Sequence, residues 1–270
     1  MLTDARDRDE HARAGMSPWE VQMTSRVCAA LLFLSFGCAA MDQGDVASDS
    51  DEIIGGTTDN GDPSVVGLFA HLPGETSGSL CTGTVISPTV VLTAAHCVDP
   101  RVVGEGNQFE VLTGTDLSGP SAAVAATDFD PGFDPNDLLG GHDVGIVELQ
   151  TPTSLTPIPF NSTGYSDALA AQPIRIVGYG TNDHLGNGAG AKRTATTSVN
   201  DFDDNFLNIG GTSRQTCHGD SGGPAFQTVN GVETVVGITS FGQDLLFFQC
   251  FGGGSDTRVD VVADFIAAHL

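Results

Sequence analysis

Basic residues are what this sequence has least of. Ten Lys and Arg stand against thirty-four Asp and Glu over 270 residues, a formal charge of −24. A polyanion is gripped by clustered Lys and Arg that displace its counterions, so nucleic acid and anionic membrane surfaces are excluded as partners. The acidity is read as a solubility device. Internal repeats, a nucleotide-binding loop and cofactor motifs are missing as well, so no cofactor is expected. No C-x-x-C or H-x-x-x-H spacing is present to build a zinc site, and no metal is expected. The apolar run from Val27 to Phe36 is too short for a permanent membrane helix.

That run fits an export leader instead. From Met23 the chain reads MTSRVCAALLFLSFGCAA, with Arg26 first, then the apolar run, then small residues. Residues 1–22 are charged and fit no such signal, so they are read as an extension or a mis-assigned start, with Met23 or Met16 as the true one. Cleavage after Ala40 satisfies a small-x-small rule through Cys38 and Ala40 and predicts a secreted protein of bacterial style. Lipidation of Cys38 is the alternative, although Ser35 and Phe36 match a lipobox poorly. Residues 41–52, MDQGDVASDSDE, are acidic and short of apolar side chains, and read as a disordered propeptide. With Cys28 and Cys38 in the leader, Cys81, Cys97, Cys217 and Cys250 remain. An even number in an exported domain suggests two disulfides, for which three pairings exist.

The character of the chain changes at Ile53. Thirty-five glycines and thirteen prolines punctuate short Val, Ile and Thr runs. Runs at 65–72, 79–87, 90–93, 109–114, 144–149, 173–179, 191–199, 224–229 and 232–240 are separated by turn signals, and together they predict an all-β barrel or sandwich. The closing DVVADFIAAHL, residues 260–270, predicts a helix in which Val261, Phe265 and Leu270 share a face with Val262 and Ile266.

Three short stretches carry chemistry. In C-H-G-D-S-G-G-P, residues 217–224, glycines at 219, 222 and 223 permit a tight loop that exposes Ser221 beside free backbone N–H groups. T-A-A-H-C, residues 93–97, supplies His96, a general base suited to a neutral hydroxyl. In G-H-D-V-G-I-V-E-L, residues 141–149, Asp143 opens an apolar strand where it can be buried beside an imidazole. Each alone has an ordinary structural reading. G-D-S-G-G also satisfies the nucleophile elbow G-x-S-x-G, but that fold wants a helix directly after the serine and its acid and histidine later in the chain. Here PAFQTVNGVETVVGITS follows, two strand-like runs joined at Asn230-Gly231, a hairpin signal.

Taken together and in this order, the three stretches resemble the trypsin/chymotrypsin-like serine protease family over nearly all of residues 53–270. The resemblance implies two six-stranded antiparallel β-barrels packed together with a short C-terminal helix, and hydrolysis of protein or peptide substrates through an acyl-enzyme. It implies Ser221 as nucleophile, His96 as base then acid, Asp143 as the group orienting the imidazole, and the N–H groups of Gly219 and Ser221 as an oxyanion hole. It pairs Cys81 with Cys97 and Cys217 with Cys250. It further implies a zymogen, expected to be a monomer, that an activating protease cuts between Glu52 and Ile53, the new ammonium of Ile53 then pairing with Asp220. Glu52 departs from the family's usual Lys or Arg there, so that protease should accept an acidic residue. The matching pocket positions are Gln215 at the base, Thr216 beside it, the strand Ser240, Phe241 and Gly242, and Gly254 on the far wall. With Gln215 where a trypsin-like enzyme has Asp, strong preference for basic side chains is not expected, unless Asp256 enters the wall through a register shift of two. Cleavage after Glu through Thr216 and His218 is the weaker alternative. A non-catalytic binding module on the same fold is the alternative class.

Overall fold

Alternating apolar residues in short runs cannot bury one face without partners, and here they pair into barrels. The computed structural model describes residues 53–242 and 250–270. The predicted leader and propeptide lie outside the described residues. After β1 (Thr57–Thr58) come β2 (Val65–His71), β3 (Gly78–Ser87), β4 (Val90–Thr93), β5 (Gln108–Leu112), β6 (Ser121–Phe129) and β7 (Gly145–Leu149). The last six close an antiparallel barrel in the order β2-β3-β4-β7-β6-β5. The second half supplies β8 (Pro173–Gly178), β9 (Arg193–Phe202), β10 (Phe206–Ile209), β11 (Pro224–Val229), β12 (Val232–Gly242) and β13 (Gly254–Arg258). These run β9-β10-β13-β12-β11-β8, and β8 pairs back onto β9 to close the second barrel, with β1 added to β9 outside it.

One apolar core runs through both barrels, including Val66, Leu92 and Ile146 from the first and Tyr179, Phe226 and Ile238 from the second. Each such side chain contributes about 1.5–3 kcal/mol by leaving water. A second cluster inside the second barrel joins Ile53 to Ile174, Ile176, Leu207 and Val236. The barrels are also tied by polar contacts. The Tyr179 hydroxyl lies 2.6 Å from the carbonyl of Gly114. Thr82 on β3 donates its hydroxyl to the Gly219 carbonyl at 2.8 Å, and accepts the N–H of Tyr179 at 3.1 Å.

The C-terminal helix is shorter than its apolar pattern predicts, covering only Ala263–Ala267. Val262 and Ile266 are buried as expected, but Val261 and Leu270 are 46 % and 61 % exposed. A helix of little more than one turn presents a single i, i+4 pair to the core, so the wider face that the sequence suggests never forms.

Candidate active site

The site lies where the two barrels meet. β4 ends at Thr93, and buried Ala94 and Ala95 lead into a single 3-10 turn that carries His96. Across from it, Asp143 precedes β7 and is fully buried. Its Oδ1 accepts the backbone N–H of His96 at 3.0 Å, and its Oδ2 lies 2.8 Å from His96 Nδ1. The Ser240 hydroxyl also donates to Oδ2. A carboxylate only accepts hydrogen bonds, so Nδ1 carries the ring proton and Nε2 keeps its lone pair. Burial pushes the Asp143 pKa up, but the hydrogen bond and charge of His96, with the Ser240 hydroxyl, outweigh it and hold the group below the usual carboxylate value.

Ser221 reaches this corner because its neighbours are glycines. Gly222 has φ +79°, and a Cβ there would come within 2.8 Å of the Ala94 nitrogen, next to the His96 turn. The Ser221 carbonyl accepts the N–H of Thr82 at 2.8 Å, fixing the serine to β3. Within the loop, the N–H groups of Asp220, Gly222 and Gly223 are taken by the carbonyls of Cys217, Thr239 and Asp220. Those of Gly219 and Ser221 donate to no acceptor among the described residues. Cys81–Cys97 ties β3 to the histidine turn, and Cys217–Cys250 ties the serine loop to the chain entering β13, the pairing the resemblance implies. The ligand atoms of Cys81, His96 and Cys97 lie within 4.8 Å of one another. With both sulfurs in the disulfide, no thiolate is left to hold a metal.

Asp220 is fully buried, its Oδ1 accepting Gly180 N–H and its Oδ2 accepting Cys217 N–H, both at 2.8 Å. Desolvation dominates these bonds and the charge of Arg193, and lifts its pKa to about 7. Ile53 is also fully buried, and the N–H of Gln215 donates to the Ile54 carbonyl at 3.2 Å. Among the described residues, the peptide nitrogen of Ile53 makes no hydrogen bond to Asp220.

Beside Ser221 opens a cavity of about 230 Å³ lined by Thr216, His218, Thr239, Ser240, Phe241, Gly242 and the Cys217–Cys250 bridge. Thr216, Ser240, Phe241 and Gly242, four of the positions the resemblance puts at the pocket, are among its lining residues. Gln215 does not line it: the side chain is fully buried and its Oε1 accepts the N–H of Gly253. Gly254 stands behind the wall, where a Cβ would come within 2.9 Å of Thr216 Oγ1. Sequence reasoning misses Thr239 and Thr82. Thr239 is flagged only by its place before Ser240, and Thr82 carries no signal beyond lying next to Cys81.

Comparison with known proteins agrees with this geometry. The family model described as Trypsin matches residues 53–266. Chymotrypsin-like elastase family member 1 of Canis lupus familiaris is 31 % identical over 73 % of this chain and 84 % of its own length. Trypsin, alkaline C, of Manduca sexta is 30 % identical over 81 % of this chain and 90 % of its own. Glucanase inhibitor protein 4 of Phytophthora infestans is 28 % identical over 82 % and 90 %. Two closed six-stranded barrels, the His96–Asp143 pair beside a glycine-bounded serine, and a family match spanning both barrels place this chain in the trypsin family of serine proteases.

Proposed function

We propose that the chain is an exported serine endopeptidase, made as a zymogen and activated by cleavage between Glu52 and Ile53. The observation that carries this reading is the bond of His96 Nδ1 to buried Asp143, which fixes the tautomer and leaves Nε2 to take a proton. Ser221 Oγ attacks the scissile carbonyl while Nε2 accepts its proton, and Asp143 stays ionised against the imidazolium. The N–H groups of Gly219 and Ser221 receive the oxyanion, each worth about 3–4 kcal/mol. Collapse passes the proton from His96 to the leaving amine and gives the acyl-enzyme. Water activated by His96 then hydrolyses it. Two disulfides suit an oxidising compartment; free secretion follows from cleavage after Ala40, and lipid attachment at Cys38 is the alternative.

Activation follows from Asp220. A buried carboxyl with two N–H donors has lone pairs left for one more partner, and the ammonium created at Ile53 adjoins Ile54, which bridges to Gln215, five residues before Asp220. A second reading is favoured by the relative named as a glucanase inhibitor: a protease fold used to bind rather than cut. The presence of His96, Asp143, Ser221 and Ile53 together supports catalysis. Labelling with a fluorophosphonate separates the two. Chain cut at Glu52–Ile53 should label, and neither the uncut chain nor Ser221→Ala should. A cut, folded chain that stays unlabelled favours the binding module; equal labelling of cut and uncut chains removes the zymogen step.

A further inference from the structure

The turn that presents Asp143 is held from outside the His96 corner. The N–H of Val144 donates to the His142 carbonyl at 2.8 Å, closing a three-residue turn with Asp143 at its centre. His142 itself has φ +64°, a left-handed conformation that a residue with a Cβ seldom adopts and that persists only where the surroundings enforce it. Asp130, the first residue after β6, grips both ends of this turn. Its Oδ2 accepts the Nδ1–H of His142 at 3.2 Å, and its own N–H donates to the Val144 carbonyl at 3.1 Å. A carboxylate offers no donor, so Nδ1 carries the proton in that bond. The Asp130 Oδ1 accepts the N–H of Gly132 at 2.8 Å, which fixes the carboxylate from its other side. Gly132 also leaves room for the imidazole, since a Cβ there would stand 2.8 Å from both Cγ and Nδ1 of His142. The loop of residues 130–132 is thus a seat shaped to one ring.

Resting on the endopeptidase reading, we infer that His142 is a positioning residue: tethered to Asp130, its ring holds the turn in the left-handed conformation that aims the Asp143 carboxylate at His96. Asp143 bonds both the backbone N–H and the ring of His96, at 3.0 Å and 2.8 Å. Two such bonds from one carboxylate require one orientation of its backbone, and His142 is the residue whose torsions set that orientation from the N-terminal side. The His142 side chain is 50 % exposed and is not among the residues lining the cavity beside Ser221, so its influence on the reaction passes through Asp143. A half-exposed pair of this kind adds little to stability. Its loss should therefore appear in turnover rather than in unfolding, because a displaced catalytic group costs rate out of proportion to the energy that held it.

The test uses the full chain cut at Glu52–Ile53 by a glutamyl endopeptidase. His142→Gly keeps the left-handed backbone without strain and removes the ring; strain relief and the greater freedom of the unfolded chain oppose each other, so the urea midpoint should move little. Its kcat should fall about 10- to 100-fold, with KM changed by less than about twofold. Gly132→Ala leaves His142 in place but drives a Cβ into its ring, and should show the same loss of kcat. Asp130→Asn, the same shape with one oxygen left to accept a bond, should fall between these variants and the wild type. Proton NMR supplies a readout that needs no turnover: the proton shared by His96 Nδ1 and Asp143 should give a far-downfield signal in the wild type, shifted upfield or broadened in His142→Gly and Gly132→Ala. Unchanged kcat and an unchanged signal in these two variants overturn the assignment, as does a kcat loss matched by an equal loss of folded protein. If the signal responds to the variants while Ser221 takes no fluorophosphonate, the positioning role stands and the endopeptidase reading fails.

Discussion

Asp220 makes the stability of the uncut chain depend on pH in a way that cutting should erase. Its carboxyl is fully buried and its pKa is lifted from 3.8 to about 7, desolvation outweighing the N–H groups of Cys217 and Gly180 and the charge of Arg193. An acid whose pKa is raised on folding stabilises the fold below its unfolded pKa, and that stability is lost as pH rises through the folded value. A rise of about three units at 1.36 kcal/mol each corresponds to about 4 kcal/mol lost between roughly pH 4 and pH 7. Asp256, raised to about 8, adds a loss of the same sign. Once Ile53 carries a free ammonium beside Asp220, the pair holds the carboxylate ionised and its share of the loss disappears. Urea unfolding at pH 5 and pH 8, on uncut and cut chains in a Ser221→Ala background, measures this directly. The uncut chain should lose several kcal/mol between the two pH values, the cut chain markedly less. Asp220→Asn should raise the stability of the uncut chain at pH 8 and reverse sign in the cut chain. Equal pH dependence in the two chains would refute the ion pair.

Two further outcomes test the site and its bracing. Asp143→Asn keeps the shape but can present an N–H to His96 Nδ1, forcing the wrong tautomer; kcat should fall by about four orders of magnitude, with KM little changed, in steady-state assays on the cut enzyme. Replacing Cys217 and Cys250 by Ser opens a loop of 33 residues, which in the chain-entropy account removes about 3.7 kcal/mol. Thermal melts should show that loss, and affinity for substrate should weaken with it, since the bridge walls the cavity.

The strands were legible wherever burial was one-sided or complete. β2, β4, β7, β11 and most of β12 appear as apolar or alternating runs because their residues face the core. β6, β10 and β13 do not announce themselves. SAAVAATDF pairs on both edges while exposing several of its alanines, FLNI is four residues long, and GSDTR is a polar strand buried up to Thr257. Closing a barrel recruits such segments by backbone pairing, which composition does not record. His96, Asp143 and Ser221 stand out in the sequence because each sits in a short motif with small neighbours that allow close approach, as Gly222 does against Ala94. Of the expected pocket residues, Thr216, Ser240, Phe241 and Gly242 line the cavity beside Ser221, whereas Gln215 is buried with its Oε1 accepting the N–H of Gly253, an orientation no sequence pattern records.

Three fully buried aspartates surround the serine loop, and the donors each one has separate their roles. Asp143 receives three hydrogen bonds, from the backbone and ring of His96 and from Ser240, and is held below the ordinary carboxylate value despite burial. Asp220 receives two, both from peptide N–H groups, and titrates at about 7. Asp256 has no close donor among the described residues, Thr239 opposes its desolvation only weakly, and burial pushes its pKa up to about 8. Desolvation pushes all three up, so what separates them is the compensation built in by the fold. A carboxylate already compensated can serve as a permanent counter-charge, the role proposed for Asp143 toward an imidazolium at His96. One compensated in part is stable only until its missing cation is supplied once, which suits a group waiting on the ammonium of Ile53. The least compensated of the three, Asp256, stays protonated to the highest pH.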